Sequence, residues 1–124
     1  MPARLRPLTA AAIDEVLNRI DESVCSGELP LTTDLREAVK HFLAVLAARA
    51  PGKSVEVRVP PYAAVQCIEG ARHTRGTPPA VVEVDAMTWI ALARGQLSFA
   101  DVVGCGPLHA SGERSNLSDH LPLI

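Results

Sequence analysis

The sequence predicts an α+β domain, with helices collected on one face of a mainly antiparallel sheet. Three observations carry that prediction. Apolar residues recur at three- and four-residue steps through the first 50 positions, alternate with charged ones from Val55, and are separated in the middle of the chain by short proline and glycine turns. A doubly wound parallel fold would instead need strands alternating with crossover helices throughout. The chain has 124 residues, with 12 Lys and Arg against 14 Asp and Glu, a formal charge of −2, and 48% apolar residues. That is the composition of one globular domain over residues 1–124, and it excludes disorder.

The first helix begins at Thr9 and carries Ile13, Val16, Leu17, Ile20 and Val24 on one face, with Asp14, Glu15, Arg19, Asp21 and Glu22 between them. It stops at Ser26-Gly27, and Pro30 prevents continuation. A second helix is expected to be capped by the Thr32-Thr33-Asp34 cluster and to run Leu35, Val39, Phe42, Val45 and Leu46 down one face to Pro51-Gly52. Residues 1–50 are therefore two amphipathic helices, whose stripes are expected to face a core.

Val55, Val57 and Val59 alternate with Glu56 and Arg58, the pattern of a half-buried strand. Pro60-Pro61 interrupts the ladder, and Tyr62 to Glu69 resumes as a second extended run. The loop from Gly70 to Gly76 is polar and cationic. Pro78-Pro79 then leads into a third strand, Val81 to Val84. Asp85 can cap a helix from Ala86 to Arg94 that ends at Gly95, and Ser98 can cap a short one from Phe99 to Val103. Leu108 to Ser111 reads as a further strand, and Asn116 to Leu121 as a closing turn.

Several function classes are disfavoured. The longest apolar run, Phe42 to Ala48, has seven residues, far short of the ~20 a membrane-spanning helix needs. Asp14 and Glu15 interrupt the apolar stretch behind Arg4 and Arg6, so no secretory signal is completed and a cytoplasmic location is expected. Basic residues form no run and aromatics are few, which gives neither a polyanion footprint nor a stacking platform; nucleic acid is not an expected partner. Cys25, Cys67 and Cys105 lack C-x-x-C spacing, and His41, His73, His109 and His120 lack paired spacing, so neither metal nor cofactor is expected. Cys105 has no basic neighbour in sequence to activate it. Gly104-x-Gly106 is followed by a proline and a strand rather than a phosphate-binding helix, and Ser111 lacks the glycine of a nucleophile elbow. No enzyme motif emerges.

Two regions can receive a ligand. Arg72 and Arg75 on the glycine-flanked loop can meet a carboxylate or phosphate, or be a solvated turn. The cluster of Trp89, Leu92, Leu97, Phe99, Val102 and Val103 fits either a filled core or the wall of an apolar cavity beside Gly95-Gln96.

One resemblance gives these regions a role. Val82-Glu83-Val84-Asp85, Trp89, Leu92, Gly95, Leu97-Ser98-Phe99-Ala100-Asp101, Gly106, Leu108, Ser111-Gly112 and Leu117 occur in an order that resembles the sterol carrier protein family. With Val55 to Tyr62 and Gly70-x-x-His73-x-Arg75-Gly76-Thr77-Pro78-Pro79, the chain looks like that family's bacterial branch over about residues 53–122. The resemblance implies a five-stranded sheet backed by helices, and an apolar tunnel between sheet and helices for a sterol, fatty acid or fatty acyl-CoA. It implies a non-catalytic carrier, with the Trp89 cluster and the two loop arginines as ligand-binding residues. The alternative is a protein-protein interaction or accessory domain with a filled core, docking to a protein partner or to itself through the first two helices.

Overall fold

The computed structural model describes residues 5–69, 80–103, 108–111 and 117–124. Helix α1 (Ala10–Cys25) starts where Thr9 caps it, the Ala12 amide donating to Thr9 Oγ1 at 3.2 Å. It ends in a Schellman arrangement, with the Gly27 and Glu28 amides donating to the Val24 and Ser23 carbonyls at 3.1 and 2.8 Å. Ile13, Val16, Leu17 and Ile20 are buried as expected, whereas Val24, in the last turn, is 52% exposed.

Helix α2 (Thr32–Arg49) follows Leu31 with no side-chain cap. This corrects the capping role expected of Thr32-Thr33-Asp34, which lie inside the first turn. Asp34 is buried there and accepts from Arg19 of α1, Nε at 3.1 Å and Nη2 at 3.0 Å. A carboxylate withdrawn from water needs such a donor more than the helix end needs a cap. Ala38, Val39, His41, Phe42, Leu43, Ala44 and Leu46 are all buried, more than one stripe accounts for, because α2 packs against α1, a strand and a third helix at once.

The sheet has the order β2-β1-β3-β4 from β1 (Val55–Val59), β2 (Ala63–Cys67), β3 (Ala80–Val84) and β4 (Leu108–Ser111). β1 pairs antiparallel with β2 and parallel with β3, and β3 pairs antiparallel with β4. Two of the three pairings are antiparallel, as expected; among the described residues the sheet has four strands rather than the expected five, and the parallel β1–β3 pair makes it mixed. The parallel pair follows from the hairpin. β2 returns the chain to the start of β1, opposite Val55, and β3 begins at that same end, with the Ala80 amide donating to the Ser54 carbonyl at 2.9 Å.

Strand alternation sends Val55, Val57, Val59, Cys67, Ala80, Val82, Val84 and Leu108 into the core, while Arg58, Gln66, Glu83 and His109 stay exposed on the opposite face. Helix α3 (Ala86–Ala93) is capped as expected by Asp85, which accepts from the Thr88 amide at 3.4 Å. The single turn α4 (Phe99–Val102) is capped by Ser98, which accepts from the Asp101 amide at 3.3 Å. After a 3-10 turn, Ser118–His120, the Leu123 amide donates to the Ala93 carbonyl at 2.8 Å and brings the tail back to the end of α3.

Candidate functional site

Helix α3 presents its apolar residues to two different surroundings. Trp89 is wholly buried, and its indole Nε1 donates to the Val39 carbonyl of α2 at 3.4 Å. A buried indole needs an acceptor as well as packing, and α2 supplies both. Ile90 and Ala93 are buried with it in the main core.

Beyond Leu92 the surroundings open. A cleft of about 410 Å³ lies against the end of α3, the link to α4 and the C-terminal turn. Leu92, Leu97, Phe99 and Leu121 give it apolar walls, and Gln96, Ser98 and Ser118 add neutral polar groups. The local backbone explains the shape. The Gly95 and Gln96 amides donate to the Leu92 and Ala91 carbonyls at 3.2 and 2.8 Å, closing α3 in a second Schellman arrangement with Gly95 at φ +78°. Chain direction reverses there, so Leu97 stands 41% exposed on the rim while Phe99 turns inward and is buried.

Of the expected ligand-binding residues, the structure brings Leu92, Leu97 and Phe99 together on this cleft. Trp89 sits in the packed core, and Val102 and Val103 are on α4 and just after it, outside the cleft lining. Arg72 and Arg75 lie outside the described residues, as do His73, Cys105 and the glycines beside it. The opposing wall, Ser118, Leu121 and Pro122, is the part sequence reasoning missed. Its local pattern shows apolar residues available for burial but carries no sign that they face the Gly95 turn.

Among the described residues two ion pairs tie α1 to other helices. Arg19 reaches Asp34 on α2, and Arg94, the capping residue of α3, makes a two-pronged pair with Asp21, Nη1 to Oδ1 at 2.8 Å and Nη2 to Oδ2 at 2.9 Å. The Arg94 hydrogen bonds hold the Asp21 carboxyl below the usual carboxylate range. On the far side of α2, His41 Nδ1 accepts from the Leu8 amide at 2.9 Å, and burial pulls its pKa below the ordinary histidine value.

The other described cysteines and histidines stand in separate places. Cys67 is buried, and burial pushes its thiol up to about 11, so little thiolate forms. Cys25 is an exposed thiol at the end of α1. His109 stands opposite Glu83 on the exposed sheet face, away from the core side that carries the cleft. Among the described residues no His, Cys, Asp and Glu side chains gather as a metal site. No helix among them is long and apolar enough to cross a membrane.

Comparison with known proteins matches a family model described as bacterial SCP ortholog over residues 32–123. The matched segment starts with α2, earlier than the boundary near residue 53 expected from the motifs, and it leaves α1 outside. No curated protein matches the chain.

Proposed function

The chain belongs to the bacterial sterol carrier protein ortholog family, and on that footing we propose that it is a non-catalytic carrier for an apolar or acyl-chain ligand held beside the α3–α4 link. The observation that carries this reading is the open cleft of about 410 Å³, with Leu92, Leu97, Phe99 and Leu121 on its walls beside Gln96, Ser98 and Ser118, a size that a small guest can occupy. Each methylene removed from water contributes ~0.8 kcal/mol, so a fully enclosed ten-carbon segment offers about 8 kcal/mol, from which ordering costs are subtracted. The tail lies against the cleft walls in this reading, and Arg72 and Arg75 meet an anionic head where the ligand has one.

Native mass spectrometry of freshly purified protein, followed by titration with cis-parinaric acid, tests the proposal. Trp89 is the one tryptophan, so energy transfer from it to the bound polyene reports occupancy of the nearby cleft. A co-purified lipid or saturable transfer is the expected result; neither lipid nor transfer refutes the carrier.

A second reading, docking to a protein partner through the first two helices, is favoured by one observation. Val24, Leu29 and Leu31 stand exposed around the α1–α2 connection, Leu29 at 92%. Replacing Leu29 and Leu31 with serine would abolish capture of such a partner without disturbing the probe signal.

A further inference from the structure

We infer that Asp21, on a helix outside the family-matched segment, is a positioning residue for the ligand cleft, acting through Arg94. The inference rests on the carrier reading and adds to it a contribution from α1. Its premises are geometric. Arg94 caps α3 and immediately precedes Gly95 and Gln96, which line the cleft. The backbone at Gly95 and Gln96 is closed by their two amide bonds back to Leu92 and Ala91. From the cap the Arg94 side chain turns away to α1, where Asp21 receives both guanidinium nitrogens at 2.8 and 2.9 Å across 73 positions of sequence.

A two-pronged pair fixes orientation as well as distance, because the planar guanidinium and the planar carboxylate must align. The Arg94 side chain is about one-fifth exposed and Asp21 about half exposed, so the pair is partly sheltered and its contribution is chiefly geometric. Holding the cap residue holds the turn that follows it. The other wall is tied to the same place, since Leu123 donates to the Ala93 carbonyl and Pro122 packs beside Gly95. Both walls of the cleft therefore converge on the end of α3, and α1 anchors that end from behind.

A second ion pair on the same helix provides the control. Arg19–Asp34 also ties α1 down, but to the start of α2, away from the rim. General loosening of α1 would follow loss of either pair; displacement of the rim would follow loss of only one.

The test compares Asp21→Asn, Asp21→Glu and Arg19→Gln in the full chain, with cis-parinaric acid affinity, thermal midpoint and amide exchange as readouts. Asp21→Asn is expected to weaken the probe about fivefold, within the range over which residues outside a site modulate it, and to speed exchange at the Gln96 amide. Asp21→Glu is expected to restore most of the affinity. Arg19→Gln is expected to lower the midpoint while leaving the affinity unchanged. Unchanged affinity in Asp21→Asn, or an equal loss in Arg19→Gln, overturns the inference while the carrier stands. If the wild-type protein binds no probe, the carrier reading fails separately, and the Gln96 amide decides whether Asp21 holds the turn: faster exchange in Asp21→Asn supports it, and equal exchange overturns it.

Discussion

Trp89 and Leu97 stand eight positions apart in sequence and belong to different worlds. Trp89 is enclosed by the core and hydrogen-bonded to α2, whereas Leu97 is 41% exposed on the rim of a cleft. Between them α3 ends, and what changes is the partner offered. Along its first two turns α3 meets α2, a helix buried on several sides and able to fill every gap. At its end it meets a C-terminal turn attached at Leu123 and Pro122. A core closes where two regular surfaces interlock, and room for a guest is left where a regular surface meets an irregular one.

The sharpest way to break this contrast is to truncate its packed side. Trp89→Ala removes a fully buried indole together with its hydrogen bond to the Val39 carbonyl, and is expected to cost ~3–5 kcal/mol. Leu97→Ala at the rim should cost under ~1 kcal/mol. Urea unfolding followed by circular dichroism measures both. Comparable losses for the two variants would mean that Leu97 is as enclosed as Trp89.

Two glycines sharpen the comparison at the backbone. Gly52, between α2 and β1, has φ +150°, and a Cβ there would stand 2.3 Å from the backbone carbon and oxygen of Ile68. Those atoms cannot retreat. The Ile68 carbonyl is engaged by the Ser54 amide and hydroxyl at 3.0 and 2.6 Å, and its amide by the Ala50 carbonyl at 2.6 Å. Gly52→Ala is therefore expected to cost more than ~2 kcal/mol. Gly95, at φ +78°, would place its Cβ 3.3 Å from a Pro122 side-chain carbon, which can shift with the tail. Gly95→Ala should cost ~1–2 kcal/mol, mainly the left-handed conformation itself, and should also weaken ligand binding, which Gly52→Ala should leave alone in the folded fraction. Calorimetric midpoints and probe titrations of the two variants separate these outcomes.

The contrast also marks what the sequence makes legible. Both N-terminal helices, the alternating β1, the Asp85 and Ser98 caps and the turn at Gly95 are written within a few neighbouring residues, and the structure has them. The parallel pairing of β1 with β3 is not local: proline-interrupted runs fit a hairpin or a bend, and only the end at which β3 enters decides direction. Asp34 misleads for a related reason. Its local chemistry suits a cap, but the Arg19 side chain fifteen residues away claims it. The candidate site divides the same way. Leu92, Leu97 and Phe99 are found from helix periodicity and the resemblance, whereas periodicity cannot tell that Trp89 faces a filled interior, because a stripe says which side is apolar and not how completely it is covered. The second wall is supplied by residues 118–122, whose partners are remote in sequence.

At the rim a smaller effect is expected. In Leu97→Ala the fold persists and the probe dissociates more readily, by about threefold to tenfold, as one partly exposed wall residue is trimmed. Fluorescence titration at constant ionic strength reads this directly, and an affinity equal to that of wild type would remove Leu97 from the wall. The corresponding Val103→Ala substitution, outside the cleft lining, serves as the unaffected comparison.

The smallest effect separates the two regions by acidity. Burial lowers the His41 pKa, so the unfolded chain takes up a proton that the folded one resists. Stability is fully present above about pH 6.5, the ordinary histidine value, and declines as pH falls through that value towards the lowered one. Protonation also turns Nδ1 from acceptor to donor, which opposes the Leu8 amide it now receives and loosens the segment ahead of α1. At the cleft the sign is set by a carboxylate. The Asp21 pKa is lowered by Arg94, so its contribution is present above about pH 3.9, the ordinary aspartate value, and is lost as pH falls below that through the lowered one. Acidification therefore reaches the His41–Leu8 contact first and the Asp21–Arg94 pair later. Unfolding midpoints between pH 7.5 and 5.5 should decline in wild type and flatten in His41→Gln, whose side-chain carbonyl can still accept from Leu8 without titrating. An equal decline in both proteins would show that His41 is not the group responsible.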